Sequence, residues 1–177
     1  EACRNAGAQA MVLVANEVEA ALIVREIAQR PASERIPIVS HWGVTGGVIH
    51  ELAGEALQAV DLQVIQTFTF IDNTRPRAQR LAAWLMRQGR LASEREIVSP
   101  VGSAHAYDMT HLLASAVHRA GSTQPDAVRH ALERLPAFEG AVRDYAPAFT
   151  SERHDALGPE QVLFVRIERS GALMPLK

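Results

Sequence analysis

Three short runs rich in β-branched residues, at 10–14, 36–39 and 62–65, alternate with stretches of helical periodicity, and this rhythm most constrains the fold. Such alternation marks βαβ units and a parallel sheet. Ala10, Met11, Val12, Leu13 and Val14 read as a buried strand. Asn16 and Glu19 form a cap-like pair ahead of a helix whose Ala20, Ile23, Val24 and Ile27 repeat at helical spacing, and Pro31 closes it. Ile36, Pro37, Ile38 and Val39 form a second strand, after which Ser40-His41-Trp42-Gly43 turns toward Gly46-Gly47 and a helical stretch at 48–53. Leu62, Val64 and Ile65 mark the third strand within 61–70. Three strands and two helices make half of a doubly wound sheet.

Beyond Phe70 the rhythm stops. A polar, proline-containing connector at 71–77 leads into three helices, expected at 76–88, 103–120 and 125–135. Gly89 and Gly121 end the first two, and Pro125 opens the third. A β pattern resumes at 138–142, then around Phe149, at 161–168 and in a last piece ending at Leu176.

Composition removes several function classes. Hydrophobic residues are 47% and charged residues 21% of 177, the balance of a folded globular chain. Eighteen Lys and Arg against 20 Asp and Glu leave a formal charge of -2 with no basic cluster, so a nucleic-acid partner is not expected. The single cysteine, Cys3, excludes an internal disulfide, a cysteine-based zinc site and a CxxC redox pair. Every apolar run is broken well short of the roughly 20 residues a membrane-spanning helix needs. The sequence begins at Glu1 without a basic-then-apolar leader pattern, so an export signal, if the protein has one, is expected ahead of it.

In open α/β sheets ligands bind outside the carboxyl ends of the strands. That rule selects Asn16 and Glu17 after the first strand and Ser40, His41 and Trp42 after the second. Asn16 serves equally well as a plain helix cap. Trp42 beside Gly43 is a pocket wall or a core side chain, and His41 a ligand contact or a structural histidine. His111 and His118 are two turns apart rather than one, so neither a metal site nor a cofactor is expected. His154-Asp155 lies in a loop with no GxSxG nucleophile elbow to serve. Gly43-Val44-Thr45-Gly46-Gly47 lacks the Lys-Ser/Thr of a phosphate loop and the full GxGxxG pattern, although a helix N-terminus there could hold an anion. No nucleophile and base pair up, which disfavours an α/β enzyme.

The segment order carries a resemblance. Gly7-Ala8-Gln9-Ala10-Met11-Val12-Leu13-Val14, Ile36-Pro37-Ile38-Val39-Ser40, Glu51-Leu52-Ala53-Gly54 and Gln66-Thr67-Phe68-Thr69-Phe70 are followed by Ala106-Tyr107-Asp108, Phe138-Glu139-Gly140 and Gly171-Ala172-Leu173-Met174-Pro175-Leu176. In this order they resemble the carboxyl-terminal half of a type I periplasmic binding protein, specifically the branched-chain amino acid (Leu/Ile/Val-type) substrate-binding components of ABC transporters. The resemblance covers nearly the whole chain.

It implies an α/β fold of two doubly wound, Rossmann-like lobes joined by a three-segment hinge and only partly present here. Residues 1–70 would belong to the second lobe, 71–137 to the first, and 138–177 would return to the second. A missing N-terminal half would carry the rest. The resemblance places ligand contacts at Asn16-Glu17 and Ser40-His41-Trp42, with hinge residues near 70–73 and 137–140. The leucine-type members hold the ligand's ammonium group with an acidic residue where Trp42 stands. Either Glu17 supplies that carboxylate or the ligand lacks an amino group and stacks on the indole. The implied partners are a small-molecule ligand and a membrane permease, and the implied location is the periplasm or cell exterior. A ligand-sensing domain of a receptor or regulator is the alternative on the same fold.

Overall fold

A computed structural model describes residues 6–176; Cys3 lies outside them. The strands are β1 (Met11–Leu13), β2 (Ile38–Ser40), β3 (Leu62–Gln66), β4 (Phe138–Glu139), β5 (Asp144–Tyr145), β6 (Leu163–Ile167) and β7 (Leu173–Pro175). The α-helices are α1 (Glu17–Ala28), α2 (Ile49–Ala53), α3 (Pro76–Gly89), α4 (Pro100–Ala120) and α5 (Pro125–Leu132). Five strands form one sheet in the order β1-β2-β3-β6-β7, and β4 and β5 pair separately. β1, β2 and β3 are parallel, whereas β6 runs antiparallel to β3 and β7 antiparallel to β6. This is a mixed α/β fold with a parallel-rich sheet. The two antiparallel strands come from the far end of the chain and need no crossover helix.

Ile38 sits opposite Met11 on one side and Leu62 on the other, and it is fully buried with Val64 and Val165. Helix α1 lays Ala20, Ala21, Val24 and Ile27 on this core. Its last turn is closed from outside, because Arg35 donates to the carbonyls of Ala28, Arg30 and Ala59 at 2.8–2.9 Å. One guanidinium thereby satisfies acceptors that a helix end leaves free.

The first strand departs from expectation. Val12 and Val14 are 81% and 77% exposed, and only Leu13 of the three strand residues is buried. β1 is the sheet edge, and these two valines share the face that no described element covers. Parallel sheets keep apolar runs on both faces when both are covered, and the run alone cannot report which cover is present.

The helical region has its own cores. Phe68 and Phe70, in edge-to-face contact at 4.7 Å, leave the sheet and pack with Ala78, Leu81, Val101 and Ala104. The change of core occurs within two residues of Gln66, where β3 ends. The following turn is tied by Asn73, whose side chain donates to Thr69 O at 2.8 Å and accepts from the Arg75 N–H at 3.0 Å. Helix α4 begins at Pro100, three residues before the expected start, with proline at its first turn.

After the helices the chain rejoins the large sheet at β6. Before it, residues 138–145 form the β4-β5 hairpin, and Ala141, Val142 and Tyr145 join the cores of the helical region. One carboxylate explains this. Asp108, fully buried on α4, accepts from the N–H groups of Ala141 at 2.6 Å and Val142 at 2.9 Å and from the Tyr145 hydroxyl at 3.0 Å. A Cβ on Gly140 would stand 2.3 Å from Asp108 Oδ2, so only glycine fits. The Tyr107-Asp108 and Glu139-Gly140 pairs, 32 residues apart in sequence, are therefore two sides of one joint. The chain passes back toward the sheet near Gly158, whose N–H donates to Gln161 Oε1 at 2.6 Å.

Candidate functional site

The turns after β1 and β2 lie side by side, as parallel pairing of Leu13 with Ser40 requires. Five side chains secure them. Ser40 is buried and its hydroxyl donates to Leu13 O at 2.8 Å. His41 Nδ1 accepts from the Gly43 N–H at 2.9 Å, capping the 3-10 turn Trp42–Val44. Buried Gln66, at the end of β3, donates from Nε2 to Thr45 Oγ1 at 3.2 Å, and Thr45 donates in turn to Trp42 O at 2.7 Å.

Glu17 is the fifth. Its Oε1 accepts from the Val48 N–H at 3.0 Å, and a Cβ on Gly46 would lie 2.9 Å from its Cδ. The start of α2 does hold an anion, and that anion is this carboxylate. Favourable charge at a helix N-terminus is supplied from within the chain. Asn16 takes the cap position of α1 with extended backbone, but its side chain makes no cap hydrogen bond and is exposed.

Trp42 is different, because it is left 47% exposed, with the His41 ring edge-on at 5.9 Å. It forms one wall of a cleft of about 580 Å³ between the sheet and the helical region. That volume falls in the range of small-molecule pockets. Thr67 stands beside Trp42 on the sheet side, and His105, Met109, Tyr145 and Phe149 line the helical side. Of the five residues selected from sequence, Trp42 alone lines this cleft; Asn16, Glu17, Ser40 and His41 do not.

Thr67 and His105 meet across it, with Oγ1 and Nε2 3.0 Å apart. Burial lowers the His105 pKa from its usual 6.5 against the opposing pull of Asp108, which favours the neutral imidazole. The Tyr145 hydroxyl, buried and donating to Asp108, has its pKa raised by burial first and by the Asp108 charge second. Of the two, Tyr145 is bonded to the carboxylate that anchors the hairpin, whereas His105 feels it only through its charge. Sequence reasoning missed Thr67, His105 and Met109. The signal was present in the spacing of Val101, His105, Met109 and Leu112, one stripe along α4.

Of the other histidines, His154 also lines the cleft and His111 packs on the aromatic side chains of the helical region. His111 packs edge-on to Tyr107 at 4.5 Å and stacks near Phe138, and His154 lies 3.4 Å from Glu133 Oε1. Among the described residues no group of three or more His, Cys, Asp or Glu side chains is placed to hold a metal ion. Among them, too, no helix is long and apolar enough to cross a membrane.

Comparison with known proteins agrees with this architecture. The fold matches a type 1 periplasmic binding protein from Bordetella pertussis Tohama I with TM-score 0.76 and 21% identity, over 98% of this chain and 47% of that one. A leucine-binding protein from Thermotoga maritima MSB8 gives 0.78 and 19%, over 99% and 46%. The branched-chain amino acid substrate-binding protein of Streptococcus pneumoniae, solved with isoleucine, gives 0.60 and 19%, over 96% and 44%. The chain thus spans about half the length of the structures it matches. A search of curated protein sequences gave no match. The sequence model described as "Periplasmic binding protein" matches residues 1–172, and the chain belongs to that family of ligand-binding proteins.

Proposed function

We propose that this chain is part of the solute-binding component of an ABC importer, taking a small molecule between two lobes and presenting the closed form to a membrane permease. The cleft between the sheet and the helical region carries the reading, because Trp42 and Thr67 reach it from one side and α4 from the other. A ligand touching both sides binds the closed arrangement better than the open one, and that differential affinity drives closure. Residues 66–73 and the passage near Gly158 are the segments that connect the two regions and would absorb the motion. Residues 137–140, joined to Asp108 through the hairpin, would move with the helical region. A periplasmic or extracellular location accords with this role. Asn16, Glu17, Ser40 and His41 shape the turns that present Trp42 to the ligand.

The test is native mass spectrometry of the intact protein, purified without denaturation, followed by small-angle scattering with and without the molecule found. One bound small molecule per chain and a smaller radius in its presence are expected. Turnover of that molecule by the purified protein would replace this reading with an enzymatic one. Genes for a permease and an ATPase beside the coding sequence would mark transport, whereas a signalling module in their place would mark a sensor.

A further inference from the structure

Gln66 carries a polar atom that the fold leaves unused. The residue ends β3, is fully buried and is held on one side by pairing with Leu163 of β6. Its Nε2 donates to Thr45 Oγ1 at 3.2 Å, whereas its Oε1 is buried with no hydrogen-bond partner among the described residues. Thr45 dictates that orientation. It commits its only hydroxyl proton to Trp42 O at 2.7 Å, so its oxygen can only accept from Gln66, and the amide turns its N–H to Thr45 with Oε1 left unmet. An orphaned buried acceptor is destabilising, and a Met or Leu of similar reach would fill the space without one. What the amide secures in return is the Trp42 carbonyl, which Thr45 also holds through its own N–H at 2.9 Å.

The next residue reaches the other wall. Thr67 lines the cleft and meets His105 of α4 at 3.0 Å, so two consecutive residues serve both walls, Gln66 through Thr45 to Trp42 and Thr67 directly to α4. Resting on the ligand-binding reading above, we propose that Gln66 and Thr45 are positioning residues for ligand binding, fixing the Trp42 wall to the end of β3. Movement within 66–73 then changes the Thr67–His105 contact but carries Trp42 with the sheet as a rigid part. A ligand that closes the cleft meets an indole already in place, and less freedom is lost on binding.

Trp42 reports its own position. Trp84, the second of two tryptophans, is exposed, and Trp84→Phe leaves Trp42 as the single indole of the intact chain. In that background, fluorescence anisotropy decay measures the motion of the Trp42 ring, and quenching by acrylamide measures its access. Thr45→Val removes the hydroxyl at similar volume, and Gln66→Met removes the amide at similar length. Each should free the ring, adding fast anisotropy decay and raising the quenching rate. Thr45→Ser, which keeps the hydroxyl, should preserve the original decay, as should Ile38→Val, which weakens the core without touching Thr45 or Gln66. A ring as still in Thr45→Val and Gln66→Met as in the background overturns the inference, and so does equal loosening by Ile38→Val. Native mass spectrometry supplies the second readout. The small molecule retained by the unaltered protein should bind Thr45→Val about five- to tenfold more weakly, the equivalent of one hydrogen bond, and unchanged binding overturns the positioning role. Retention of nothing sinks the ligand-binding reading and this inference together, whereas a retained molecule with a still ring sinks the inference alone.

Discussion

The sheet region and the helical region solve the same problem by opposite means. In the sheet, cohesion is distributed: Ile38, Val64, Val165, Val24 and Leu57 share one broad core, and the turns above it are secured by several modest side-chain-to-backbone bonds. In the helical region a single buried carboxylate gathers α4, the β4-β5 hairpin and Tyr145. Distributed cohesion degrades gradually under mutation, whereas a hub fails at once. Trp42 is mounted on the first kind of support, and Tyr145 on the second.

Substitution of the hub should therefore give the largest effect. Asp108→Ala orphans two buried N–H groups and the Tyr145 hydroxyl, and a loss of about 3–5 kcal/mol is expected in denaturant unfolding. A loss under about 1 kcal/mol would show that the hairpin is held by its apolar contacts alone. In the sheet, Ile38→Val removes one methylene from the centre of the core and should cost about 1 kcal/mol. Glu17→Ala leaves the exposed Val48 N–H to water and should cost about 0.5–1.5 kcal/mol, with Glu17→Gln largely restoring stability because its amide oxygen can still accept.

Titration sharpens the contrast from the other direction, with smaller effects. The folded pKa of His105 is lowered, so the unfolded chain takes up a proton first as pH falls. Stability from this group is present above about 6.5 and lost as pH drops through the folded value. Tyr145 has the opposite sign: its raised pKa makes its contribution complete below the unfolded value of 10.0 and lost as pH rises beyond it. Unfolding followed against pH should lose the acid-side slope in His105→Gln and the alkaline slope in Tyr145→Phe. Retention of both slopes would assign them to other groups.

These differences also explain what could be read without coordinates. The strands of the sheet announce themselves through β-branched runs, and α1 through Ala20, Val24 and Ile27, because periodicity is a local property. The Asp108 joint is not local. Its two halves lie more than thirty residues apart, and a lone Asp on a helix looks like a solvated one. The same reason sets the hairpin at 138–145 against α4, a placement that its short β pattern alone does not reveal. At the candidate site, the rule about strand ends found the right rim but could not tell supports from walls. Ser40, His41 and Glu17 carry polar atoms that the turns themselves consume, whereas Trp42 carries surface that nothing consumes. Thr67 escaped notice because it follows a strand rather than a recognisable turn motif.

The uncovered flank of β1 carries a practical consequence. Residues 10–15 contain neither a charge nor a proline, the devices by which strands at a sheet margin resist recruiting other chains. With Val12 and Val14 turned to solvent beside an open hydrogen-bonding ladder, this 177-residue chain handled alone at high concentration is a template for intermolecular strand addition. It should aggregate increasingly as its concentration rises, and a Val12→Lys substitution should suppress that aggregation.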